Sequence, residues 1–92
     1  MAEAQTLLSG EKTLGATNTA EQITTTSQII TGLLVRAAKA NAANVNIGPS
    51  TVGATSYYLE AGESVQLDVI DPSRFYVYGK QADKVLFFGL VP

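Results

Sequence analysis

At 92 residues the chain is one domain at most, and its 46% hydrophobic content belongs to a folded core rather than a disordered segment. A net charge of −2, with six scattered cations, argues against nucleic acid as a ligand and leaves no basic amphipathic stretch for a membrane surface. Cysteine and histidine are absent, which excludes disulfides, thiolate chemistry, Ser-His-Asp triads and the usual zinc sites.

Residues 1–28 hold seven threonines and no aromatic or proline, and their charges (Glu3, Glu11, Lys12, Glu21) sum to −2. The start MAEAQT has neither a basic n-region nor an apolar h-region, so no signal peptide is expected. This Thr-rich composition predicts an extended arm over 1–28 that becomes ordered against a partner, with a frayed terminus or an ordinary edge strand as the alternative. Thr17, Thr19, Ile23 and Thr25 are its candidate contact residues. Residues 29–92 carry all the aromatics and form the expected body.

The body opens on an ambiguous segment. In SQIITGLLVRAAKANAA, positions 29, 30, 33, 34, 37 and 38 fit a helix stripe, with Ser27 as N-cap. Period two also fits, with Ile29, Thr31, Leu33, Val35 and Ala37 on one face. Gly32 and the β-branched run Ile29-Ile30-Thr31 favour the strand. Thr31 and Arg36 interrupt the apolar run, which is too short to span a membrane.

From there the alternation is clear. Val45 and Ile47 alternate with asparagines, Val65, Leu67 and Val69 with Gln66 and Asp68, and Phe75 and Val77 with Tyr76 and Tyr78. Val85 and Phe87 share one face of a last strand, and Leu86 and Phe88 the other. Turn residues fall between these runs, at 41–44, 48–50, 60–63, 71–73 and 79–83. Short strands with frequent turns predict an all-β fold: a small antiparallel β-sandwich or jelly-roll-like barrel with an extended N-terminal arm.

Little in the sequence points to catalysis. Glu60 and Glu63 flank Ala61-Gly62 between two strand-like runs and read as a solvated hairpin tip, where carboxylates make poor general acids. Asp68, Asp71 and Asp83 lack the alternate spacing of a calcium loop, and Asp71-Pro72-Ser73 reads as a type I turn. GPSTVG, residues 48–53, matches no phosphate-binding motif. Tyr57, Tyr58, Tyr76 and Tyr78 are candidate contacts for a protein or sugar, or cover a second apolar face. No enzymatic activity, metal or cofactor is expected.

The stretches VRAAKANAANVNIGPSTV, YYLEAGESVQLDVIDPSRFYVYG and KVLFFGLV together resemble a pattern of small tailed-bacteriophage virion proteins. In that pattern an Asn-rich turn leads to N-V-x-I-G, then L-x-x-G-E-S-V-x-L, a D-x-S-x-x-Y-V strand and a short closing strand. The match covers about residues 33 to 91. The resemblance extends to capsid decoration or cement, head-fibre and tail-accessory proteins alike. It implies a β-sandwich or jelly-roll-like body, a non-enzymatic structural role and assembly on a symmetric particle. The expectation is a decoration protein on the capsid surface of the virion, bound to the major capsid protein or another virion protein, as a homo-oligomer with a trimer preferred. The alternative is a carbohydrate- or host-binding module of a head fibre or tail.

Overall fold

The computed structural model of the chain describes residues 6–25 and 27–91. Eight strands account for nearly all of its regular structure: β1 (Thr6–Thr13), β2 (Glu21–Gln22), β3 (Ile30–Ala37), β4 (Val45–Gly48), β5 (Tyr58–Leu59), β6 (Ser64–Ile70), β7 (Tyr76–Tyr78) and β8 (Lys84–Val91). One 3₁₀ turn, Pro72–Arg74, lies between β6 and β7. No helix among the described residues is long and apolar enough to cross a membrane.

The strands form two antiparallel sheets, in the orders β1-β8-β3-β6 and β2-β7-β4-β5. The pairings are nested: β1 with β8, β2 with β7, β3 with β6 and β4 with β5. A ribbon paired in this way closes into two sheets once β8 also meets β3 and β7 meets β4. This is the strand order of an eight-stranded jelly roll, within the all-β sandwich or jelly-roll-like class that the alternation and turn spacing predict.

The inward residues of both sheets supply the core. Leu33, Val35, Ala37, Val85 and Phe87 come from the first sheet, and Val45, Ile47, Leu59 and Val77 from the second. The segment 27–40 settles as strand, with a change of phase that the sequence does not announce. Gly32 has φ +62, and the β3–β8 register slips between Thr31 and Leu34. The extra residue is a β-bulge of the kind that glycine accommodates in the left-handed region. Before it Ile30 points inward; after it Leu33, Val35 and Ala37 do. Ile29, expected on the core face, is therefore 53% exposed.

The expected division at residue 28 does not appear in the packing. β1 pairs along its whole length with β8, from Thr6↔Val91 to Thr13↔Lys84. Leu14 and Ile23 are buried to 1% and 3% exposure in the shared core. Residues 6–25 are thus strands of the sandwich rather than a separate arm, and residues 1–5 lie outside the described ones. The composition misleads because an edge strand needs only a few apolar residues on one face, and here Leu8, with Leu14 just past the end of β1, provides them.

Glu21 secures the connection from β1 to β2. Its carboxylate accepts hydrogen bonds from the Gly15 and Ala16 amides and pairs with Lys12 Nζ at 3.0 Å. Partial burial opposes its ionisation, but Lys12 and the two amides outweigh that and hold its carboxyl below the usual glutamate range. A depressed folded-state pKa contributes stability that is present above the unfolded value and lost as pH falls through the folded one. Wild type should therefore exceed Glu21→Gln in melting temperature at neutral pH, and the gap should close as pH falls below about 4.3. A gap that persists unchanged into acid would show that ionisation is not its cause.

Gly89 on β8 offers a sharper test of packing. A Cβ there would collide with Ile30 Cγ2 and lie 3.4 Å from the Leu33 backbone. Gly89→Ala should destabilise the fold by roughly 1–3 kcal/mol through overpacking. Gly53→Ala, with nothing within 4 Å of the new Cβ, should be close to neutral in the same urea titration.

Candidate functional site

The turn at Glu60–Glu63 lies between two sheets. β5 pairs with β4 in the second sheet, and β6 pairs with β3 in the first. The expected hairpin tip is thus a crossing from one sheet to the other, since its flanking strands are not partners. Gly62 has φ +86, as the third position of a type II turn requires, and the Glu63 amide donates to the Glu60 carbonyl. The Glu63 carboxylate accepts from the Glu60 amide at 2.7 Å. One member of the supposed acid pair therefore fastens its own turn, and both glutamates are exposed.

The other acidic candidates are also occupied locally. The Ser73 hydroxyl, donating to Asp71, does most to hold that carboxyl below the usual range; the Ser73 amide, Ser27 Oγ and the Gln28 amide add to the effect. Asp71 thereby caps the 3₁₀ turn and ties it to the segment before β3. Asp83, buried, accepts from the Ala42 and Ala43 amides at 2.9 and 3.1 Å and holds the Asn-rich turn against the start of β8. Asp68 is exposed on β6. Among the described residues no three acidic side chains converge on a point that could hold a metal ion.

The structure separates the expected contact residues. Ile23 lies in the core, with its amide bonded to the Phe75 carbonyl, and has no surface to offer a partner. Thr17 Oγ1 accepts from the Gln81 amide, which docks the β1–β2 connection on the turn before β8. Thr19 and Thr25 are exposed. The tyrosines gather more closely. Register places Tyr58, Asn46 and Tyr78 in one row across the second sheet, with Tyr76 on the same outer face, opposite buried Phe75 and Val77. Asn46 Nδ2 donates to the Ser56 carbonyl and holds the 53–56 loop beside that row. A shallow cleft of about 610 Å³ adjoins it, between Tyr57, Tyr58, Ser56 and Glu60.

The outer face of the first sheet differs in kind. Leu7, Leu34, Leu86 and Phe88 are exposed there, Phe88 by 46%. The pairings Ser9↔Phe88, Leu34↔Phe88 and Leu7↔Leu90 make these residues neighbours. An ion pair between Lys84 and Glu11 borders the patch on one side, and Arg36, donating to the Gly62 carbonyl, on the other. A contiguous apolar area with a polar rim marks an interaction surface. The alternation of Leu86 and Phe88 with buried Val85 and Phe87 carries the signal in the sequence, but it has meaning only once β1 and β3 are known to flank β8.

No known protein family matches the chain, and no curated protein or solved structure is detectably similar to it.

Asp83→Ala would leave the Ala42 and Ala43 amides without their acceptor. It should cost on the order of 1–3 kcal/mol in urea denaturation. Asp83→Asn, which keeps one acceptor oxygen, should cost less.

Proposed function

We propose that the chain is a non-enzymatic structural protein of a phage virion, a decoration or cement protein that binds the outside of the head and stabilises it. The apolar outer face of the β1-β8-β3-β6 sheet carries this reading, because an exposed sheet face bearing Leu7, Leu34, Leu86 and Phe88 suits attachment to another protein surface. The order of turns and strands over residues 33 to 91, whose motifs resemble a pattern of small virion proteins, points the same way. On a capsid, many weak contacts add up because every copy joins the same lattice. The partner is the major capsid protein or another virion protein, and a homotrimer matches the threefold positions of a shell.

Truncation is a poor test, since removing residues 1–26 would delete β1, Leu14 and Ile23. Surface substitution is cleaner. Particles lacking the chain are incubated with wild type, Phe88→Asp or Tyr58→Ala. Phe88→Asp should bind at least about tenfold more weakly, the scale of losing one buried aromatic anchor. Tyr58→Ala should bind as wild type does. Equal binding by Phe88→Asp would remove the sheet face from the mechanism, and purified virions without the chain would remove the virion role.

A second reading is favoured by the row Tyr58-Asn46-Tyr78 beside the cleft at Glu60: a carbohydrate-binding module of a head fibre or tail structure. A glycan array would then give a signal that Tyr58→Ala and Tyr78→Ala abolish.

A further inference from the structure

One side of the sandwich is bounded by two edge strands of unequal length. β6 runs seven residues, Ser64–Ile70, and pairs with β3 alone. β5, the edge of the facing sheet, runs two, Tyr58–Leu59. The short strand leaves the inward side chains of the long one without a roof. Val65, Leu67 and Ile70 are only partly buried, whereas Leu33, Val35 and Ala37 on β3 are completely buried. The result is an open apolar groove of about 500 Å³, lined by those three β6 residues, Ile47 and Tyr57, with Arg74 beside it. The Arg74 guanidinium makes no hydrogen bond or ion pair among the described residues.

The edge itself is unguarded. Exposed edges are commonly blunted by lysine or proline, and β6 has neither; Asp68 is its single charge. A row of main-chain donors and acceptors beside an apolar groove captures an extended peptide by strand addition. The added main chain pairs with the edge, and every second side chain falls on the groove side. A small apolar molecule would fill the groove and leave the edge unpaired, so a peptide is the occupant that uses both. Arg74, exposed at the margin of the groove, supplies the charge complementarity, because the planar fork of guanidinium N–H donors matches a carboxylate.

We infer that the free edge of β6 and the adjoining groove bind an extended segment of a partner polypeptide, with apolar side chains at alternate positions and a carboxylate that meets Arg74. This is independent of the virion reading and of the apolar face of the first sheet.

A library of short random peptides, sorted against the intact chain, tests it. The enriched peptides should alternate apolar with polar residues and fix Asp or Glu at one position. A synthetic copy of the best one should slow hydrogen exchange of the 64–70 amides. Arg74→Glu should lower its affinity roughly tenfold or more without changing the melting temperature. Lack of enrichment, enriched peptides without alternation, or binding that leaves exchange at 64–70 unchanged would overturn the inference. Saturable octanoate binding in the groove, with no peptide able to compete, would overturn it in favour of a small-molecule site.

Discussion

The packing of Ile30 over Gly89 sets the geometry of the first sheet. β3 and β8 are its two central strands, so β1 is placed through β8 and β6 through β3. The bulge at Gly32 turns both Ile30 and Leu33 toward the core, and the two side chains converge where β8 has no side chain of its own. A strand without the bulge would keep strict alternation and send either Ile30 or the Leu33-Val35-Ala37 row to solvent. The glycine on β8 and the glycine on β3 are therefore one device: the second makes the extra inward residue, and the first makes room for it.

The two outer faces divide the remaining surface by chemistry. One presents leucines and a phenylalanine across β1, β8 and β3, the other tyrosines and an asparagine across β7, β4 and β5. A solvated sheet face ordinarily alternates with the core face as polar against apolar. The second sheet follows that rule with amphipathic tyrosines, and the first departs from it. That asymmetry is why attachment through the first sheet is proposed, and why the second sheet is the side on which a sugar would be sought.

Much of the fold is legible in the sequence, and the gaps have physical causes. Val65 with Leu67, and Phe75 with Val77, reveal their strands because one face of each is apolar. Gly62 marks its turn because only a positive φ closes it. The strand at 30–37 is legible as a strand but not in phase, since Ile29 and Ile30 are alike in hydropathy and the bulge alone decides between them. The body is legible from residue 29 onward, whereas β1 is hidden: its partner is more than seventy residues away, and Thr, Ser and Gly outnumber Leu in it. Asp83 could not be assigned in advance, because its meaning depends on two amides at 42 and 43. Of the candidate contacts, Tyr76 and Tyr78 share a face as their spacing suggests, but the β6 groove depends on how short β5 is, and length mismatch between strands of different sheets leaves no mark in either one.

The nested order of pairing also ranks the strand pairs by the length of chain that each must close. β8 is the last of the eight strands to be made, and it is the sole strand partner of β1. Until β8 leaves the ribosome, β1 has nothing to bond with, and the inward residues of β3 have no neighbour on that side. The central pairs β4–β5 and β3–β6 span the shortest loops and can form while synthesis continues. Loop length thus favours closure from the middle of the sequence outward, and the apolar outer face of the first sheet is complete only once Leu86 and Phe88 stand beside Leu34 and Leu7. That face needs residues of β8 and does not exist before the last strand is in place.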